Sequence, residues 1–251
     1  MKPESFLVLK ELAAIQTGQH IDETKSHLYA LRLDRLFHGS ADDLADGLKA
    51  QGAGSNLGAE IAAALLDPRS RFVSERGEFA ALFEDVIRPG LARSCNARYR
   101  IWCAGCGTGQ EAYSLLIMLR NRLSPEESSR IDITATDFSP GRLMTACRGV
   151  FSHFEVQVGL SSHNLLKCFT QLPEGDWQVI PDIRQAISFK RHNLLCPGDA
   201  PASFDLVICR DVLQRMTAAH AGLARDNLIR SLKPDGHLHV SPLSDCGSGR
   251  G

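Results

Sequence analysis

The chain has 251 residues, 28 Lys and Arg against 29 Asp and Glu, a net charge of -1 and 43% hydrophobic residues. So even a balance leaves no global field to draw it to nucleic acid or a membrane, and any basic patch must be local. The opening MKPESFLVLKEL lacks a basic stretch ahead of a long apolar run, and no segment approaches the length of a membrane span, which predicts a cytoplasmic protein whose eight cysteines stay reduced.

Residues 1–92 read as an all-helical N-terminal domain and a linker. Phe6, Leu9, Leu12 and Ala13 recur on one helical face. Thr24 is placed to cap a helix ending at Phe37, with Leu28, Leu31 and Leu36 on its apolar side. Lys25, Arg32 and Arg35 fall close to one side of that helix; such a run is usually a solvated face, and it alternatively grips an acidic partner. Shorter helices are predicted at 41–49 and 59–66, with a glycine-rich loop at 51–58 between them. Residues 79–87 read as an amphipathic helix stopped by Pro89-Gly90.

From residue 98 the pattern alternates. Strands are predicted at 100–104, 131–136, 187–190, 204–209 and 236–241, and helices at 109–122, 140–147 and 218–232. That alternation predicts an α/β domain over 93–251, a Rossmann-like doubly wound parallel sheet. The rhythm breaks at about 151–186, where a helix at 161–169 and a strand at 176–180 read as a small β insertion. The end, 245–251, is small and polar and reads as a disordered tail.

The chemistry concentrates after the first strand. Gly105, Gly107 and Gly109 follow it and open a helix, a turn that lets backbone approach a ligand closely. The third glycine of a dinucleotide fingerprint is replaced by Gln110, with Glu111 next. An acid there repels a pyrophosphate but not a sulfonium, so S-adenosylmethionine fits better than a nicotinamide dinucleotide. Asp137, at the tip of the second strand, reads as a ribose acceptor or, more blandly, as a helix N-cap. Asn193-Leu194 follows the third strand candidate as an adenine-edge contact or a turn, and Arg210-Asp211 tips the fourth as a site pair or a surface ion pair. Cys103 and Cys106 form a CxxC without a second ligand pair, so they read as structural thiols and no metal is expected.

At these residues the chain resembles the CheR family, the chemotaxis receptor methyltransferases. WCAGCGTGQEAYS is similar to the family's C-x-G-C-S-T-G-E-E-P-Y-S, TATDFS to its ribose motif, RHNLL to its adenine-side segment, FDLVICRDVL to F-D-x-I-x-C-R-N-V, and LKPDGHL to L-K-P-G-G-x-L. The front, with KSHLYALRLDRL, is similar to the family's N-terminal domain. The resemblance implies methyl transfer from S-adenosylmethionine to glutamate side chains on a chemoreceptor's cytoplasmic helical bundle, leaving S-adenosylhomocysteine. It implies cofactor contacts from Ala104, Gly105, Gly107, Glu111, Asp137, Phe138, Asn193, Leu194, Arg210 and Asp211, methyl-site roles for Arg210 and Arg215, and docking of an acidic partner by Lys25, Arg32 and Arg35.

The chain departs from the pattern at four positions. Ser74 stands where the family's T-x-F-F-R carries arginine, with Arg71 and Arg76 nearby; Asp211 replaces an asparagine, Arg215 an aromatic, and Gln110 a glutamate. These departures keep open a second reading, a cofactor-binding regulatory module with little transferase activity. The insertion QLPEGDWQVI is short for the subdomain that binds a receptor's C-terminal peptide in some members, which predicts a tail-independent type. The chain also ends soon after its fifth strand candidate, where the family continues into an antiparallel pair, so the expectation is either a shortened chain or an open sheet edge.

Overall fold

Four helices form the front of the chain: α1 (Pro3–Thr17), α2 (Ser26–Phe37), α3 (Ala41–Gln51) and α4 (Asn56–Leu65). The computed structural model describes residues 1–52, 54–66, 70–75, 77–94, 97–198 and 201–240; the predicted tail and Arg76 lie outside them. Phe6, Leu9, Leu12, Leu33, Leu48, Ile61 and Leu65 make one core among the four helices. Two local expectations change. Asp22, not Thr24, receives the first free N–H at the start of this segment: its carboxylate accepts the Thr24 N–H at 3.0 Å and caps a 3-10 turn that leads into α2. Leu28, Leu31 and Leu36 are exposed, because Tyr29, Ala30, Leu33 and Phe37 form the i, i+4 stripe that meets the other helices.

The linker packs with the α/β domain. Phe72, Phe79, Leu82, Phe83, Ile87 and Leu91 all join the core beneath the sheet. Helix α5 (Glu78–Leu82) runs through a π turn (Phe83–Ile87) into α6 (Arg88–Arg93). Pro89-Gly90 therefore does not stop the helix. Pro89 sits in the first turn of α6, and Gly90 lies against the Tyr99 ring, where a Cβ would come within 2.5 Å.

Five strands form one parallel sheet: β1 (Tyr99–Ala104), β2 (Ile131–Asp137), β6 (Ile187–Arg191), β7 (Phe204–Cys209) and β8 (Leu232–Val240), in the order β6-β2-β1-β7-β8. Three short strands, β3 (Val150–Phe151), β4 (Phe169–Gln171) and β5 (Trp177–Val179), make the separate antiparallel sheet of the insertion. Helices α7 (Gln110–Arg122), α8 (Pro125–Ser129), α9 (Pro140–Arg148), α10 (His153–Gln157), α11 (Ser162–Cys168), α12 (Pro181–Arg184) and α13 (Ala218–Ser231) connect the strands. Side chains of β1 alternate between two cores: Ile101 and Cys103 join the one holding the α7 residues, Trp102 and Ala104 the one holding Ala224 and Leu228 of α13. Strand β8 starts earlier than its pattern predicts; a register shift between Phe204 and Leu206 accommodates the Pro-Asp-Gly segment within the strand.

The topology places the site. From β1 the chain crosses to β2 on one side and β7 lies on the other, so the loops after β1 and its neighbours diverge at their carboxyl ends and leave a crevice. The strand-tip residues singled out in the sequence lie at or just after the carboxyl ends of β1, β2, β6 and β7.

Candidate functional site

The glycine turn after β1 is held by shared acceptors. Gly105 and Cys106 both donate their N–H to the Thr136 carbonyl at 2.8 Å, and Gly107 N–H donates to Asp137 Oδ2 at 2.9 Å. Asp137 Oδ1 accepts the Ser139 N–H at 2.9 Å. The residue that caps α9 is Ser139, so the bland reading of Asp137 as that helix's cap does not apply. Each carboxylate oxygen keeps a lone pair beyond its backbone bond. Asp137 is thus locked by two backbone donors while lining the crevice.

Gln110 is buried. It accepts from the Thr108 hydroxyl at 2.5 Å, and its amide donates to Glu155 Oε1 at 3.1 Å. A glutamate at this position faces another carboxylate, so the amide resolves a local charge conflict. This ties the turn to α10 in the insertion.

The cleft is lined by Thr17, Gln19, Gly105, Gly107, Asp137, Phe138, Asn193, Leu194, Arg210, Asp211, Arg215 and neighbours, and encloses about 60 Å³. One wall comes from the helical front: Gln19 bridges Met216, His20 N–H donates to the Arg215 carbonyl at 2.8 Å, and Thr217 N–H donates to the Gly18 carbonyl at 2.9 Å. Asn193 belongs to this clasp. Its amide donates to the Gln16 carbonyl at 2.7 Å and its carbonyl accepts the Leu195 N–H, so the side chain joins the two parts of the chain rather than presenting a free edge to a base. Leu194 lines the cleft, whereas Ala104 is buried below it in the core.

Arg210 sits at the tip of β7 with only 9% of its side chain exposed. It reaches Glu78 through Nε at 3.2 Å and Nη2 at 2.8 Å, and Glu111 through Nη1 at 2.9 Å. The surface-pair alternative fails here, because these charges are largely desolvated. Burial raises the Glu111 carboxyl above its usual 4.5, with Arg210 pulling the other way. The sign follows: above pH 4.5 ionised Glu111 weighs against the folded state, the penalty grows until pH passes the raised value, and it is absent at lower pH. Glu111→Gln is therefore expected to melt higher than wild type at pH 7.5, with the two curves converging below pH 4.5 in a thermal-melt series.

The remaining departures have local explanations. Asp211 adopts a left-handed φ of 56°, which Asn and Asp tolerate best, and accepts from the Gln214 amide at 2.8 Å. Ser74 is exposed and lies off the cleft's lining. Arg71, earlier in the same motif, instead borders a small adjoining cavity with Glu111, Arg210 and Asp211. Cys103, Cys106 and Cys209 are buried, unbridged thiols whose ionisation burial pushes well upward. Among the described residues no three His, Cys, Asp or Glu side chains gather to hold a metal ion.

Away from the cleft, Lys25, just before α2, and the α2 cations Arg32 and Arg35 separate. Lys25 and Arg35 are exposed. Arg32 donates to the Ala64 and Leu66 carbonyls at 3.0 and 2.7 Å, closing the C-terminal end of α4, so its guanidinium is engaged in the helical core's own architecture. Residues not singled out in the sequence also line the cleft: Ser70, Arg142, His192 and Val212. Ser70 Oγ accepts the Thr108 N–H at 3.2 Å, and its place in the family's T-x-F-F-R pattern is the available signal.

Residues 69–241 match the family model described as CheR methyltransferase, SAM binding domain. The chain belongs to the CheR methyltransferase family. It is 30% identical over 249 residues to the chemotaxis protein methyltransferase Cher2 of Pseudomonas putida KT2440, covering 94% of this chain and 87% of that one. It is 29% identical over 234 residues to chemotaxis protein methyltransferase 1 of Pseudomonas aeruginosa PAO1, covering 89% and 83%. Among solved structures, PKMT2 from Rickettsia typhi in complex with AdoHcy aligns with a TM-score of 0.39 and 13% identity, over 69% of this chain and 26% of that one.

This CheR protein is a methyltransferase whose cofactor is S-adenosylmethionine. The cleft fits that group chemically. Gly105 and Gly107 bring bare backbone to its floor, Asp137 offers acceptor lone pairs of the kind a ribose diol needs, and Glu111, paired with Arg210, places a carboxylate in the adjoining cavity. Among the described residues no helix is long and apolar enough to cross a membrane.

Proposed function

We propose that this chain methylates glutamate carboxylates on the cytoplasmic helical bundle of a chemoreceptor. The observation that carries the reading is the meeting of Asp137 and Arg215 in one cleft, with Arg210 in its wall held by Glu78 and Glu111: an acceptor suited to a ribose beside cationic groups suited to an anion. When bound, S-adenosylmethionine would supply an electrophilic methyl group on a sulfonium, the chemistry that turns a carboxylate into a methyl ester and leaves a neutral thioether.

The chain's own residues have correspondingly modest tasks. A glutamate side chain ionises at about pH 4.3, so at neutral pH it is already an anion and needs no general base. Asp137 holds the ribose end, and Glu111 faces the cofactor's ammonium. Arg210 and Arg215 orient the acceptor as it sheds water. On α2, exposed Leu28, Leu31 and Arg35, with Lys25 before the helix, present an apolar and cationic stripe that suits an acidic amphipathic helix.

Labelled methyl transfer from S-adenosylmethionine to receptor cytoplasmic fragments tests this. The expected product is base-labile, as a glutamyl ester is, and is lost when the receptor glutamates are replaced by glutamine. Base-stable label sinks the assignment. Calorimetric binding of S-adenosylhomocysteine without any transfer favours the regulatory-module reading, which the position of Ser74 off the cleft and of Arg215 within it motivates.

A further inference from the structure

Arg210 is shared unequally. Glu78 takes it by two nitrogens, Nε at 3.2 Å and Nη2 at 2.8 Å, while Glu111 receives one, Nη1, at 2.9 Å. The guanidinium also lies 5.5 Å from the Phe79 ring centroid, which fixes its plane from a second direction. Glu78 has a further partner: His239 Nε2 lies 2.7 Å from its Oε1. An ionised carboxylate only accepts, so His239 donates from Nε2, whether the ring is neutral or charged. The parallel register that pairs His239 with Ile208 sets it beside the tip of β7 from which Arg210 projects.

We infer that Glu78 and His239 are positioning residues that hold Arg210 away from full engagement with Glu111, and so keep the Glu111 carboxylate available to a cationic ligand group. The physical reason is competition. A guanidinium pairs best through two parallel bonds; Glu78 takes the fork of Nε and Nη2 and draws the cation toward itself, while Glu111 receives a single bond. Without Glu78 the fork is released to Glu111, whose negative charge is then neutralised from within the protein. His239 supports Glu78 by occupying Oε1 and holding its carboxylate in the orientation Arg210 needs. The inference rests on the assignment of Glu111 to the cofactor's amino-acid end, and not on which protein receives the methyl group.

The test compares two probes by calorimetry: S-adenosylhomocysteine, which carries the ammonium, and methylthioadenosine, which lacks the amino-acid tail. Glu78→Gln is expected to weaken S-adenosylhomocysteine roughly tenfold, about the worth of one charge-assisted hydrogen bond, and to leave methylthioadenosine unchanged. His239→Leu is expected to weaken the first probe in the same selective way, and His239→Gln, which restores a donor, to recover it. Equal losses for both probes, or no loss for either, overturn the inference, as does failure of His239→Gln to rescue. The histidine pair decides the matter if Glu78→Gln does not fold. Glu111→Gln separates the two levels: if it binds S-adenosylhomocysteine normally, the cofactor assignment of Glu111 falls and takes the inference with it. If it loses that probe while Glu78→Gln does not, the inference alone falls.

Discussion

Asp137→Asn is expected to weaken S-adenosylhomocysteine binding roughly 10- to 100-fold, through the loss of one acceptor oxygen and of the charge on the other. The substitution is nearly isosteric, and its effect comes from donor and acceptor count. Both oxygens of Asp137 receive backbone N–H groups, from Gly107 and from Ser139. An asparagine has one oxygen, so its NH2 must face one of these donors. The side chain is 6% exposed, which leaves little water to relieve the clash. The folded state is expected to lose about 2–3 kcal/mol, seen as a Tm lower by about 5–10 °C. Calorimetry and a thermal melt check the two effects together. Wild-type affinity in this variant removes Asp137 from the cofactor site and leaves it a purely structural clamp on the glycine turn.

Gly105→Ala is expected to abolish measurable cofactor binding while the chain still folds. Gly105 has φ of 76°, and a Cβ there lies 2.5 Å from Val212 Cγ2. A left-handed alanine costs about 1–2 kcal/mol, and the contact adds a comparable overpacking term. Val212 is β-branched and yields little by rotating about χ1. The turn after β1 and the loop after β7 must therefore separate, displacing backbone on the floor of a cleft that is already narrow. Gly52→Ala is the control. Its φ of 85° with ψ of 152° strains an alanine backbone at least as much, but its Cβ meets nothing within 4 Å and it lies between α3 and α4. A melt shift without a binding change is expected there. Equal binding by Gly105→Ala and wild type means that the ligand does not lie against this turn.

The parts of the molecule legible from local pattern are those governed by short-range chemistry. An apolar run meeting Gly105, Gly107 and Gly109 has few conformations open to it besides strand, turn and helix, and the helix does open at Gln110. Asp137 ends a strand, and the alternation of elements puts that end beside the turn. Phase was less legible. Leu28, Leu31 and Leu36 satisfy an apolar stripe as well as Tyr29, Leu33 and Phe37 do, and only the packing of α3 and α4 selects the second set. Pro89-Gly90 carries the composition of a stop, yet the π turn at Phe83–Ile87 directly precedes it and carries the helix through.

From the sequence alone came the strand order's raw material, the glycine turn, the acid at the tip of β2 and the family, because each rests on residues adjacent or nearly adjacent in the chain. Tertiary structure alone decided how the polar side chains are used. Asn193 bonds a carbonyl 177 positions away, Arg210 a carboxylate 132 away, and His239 that same carboxylate from 161 away. A charged or amide side chain takes whichever desolvated partner the fold brings within about 3 Å, and no periodicity or spacing records that choice.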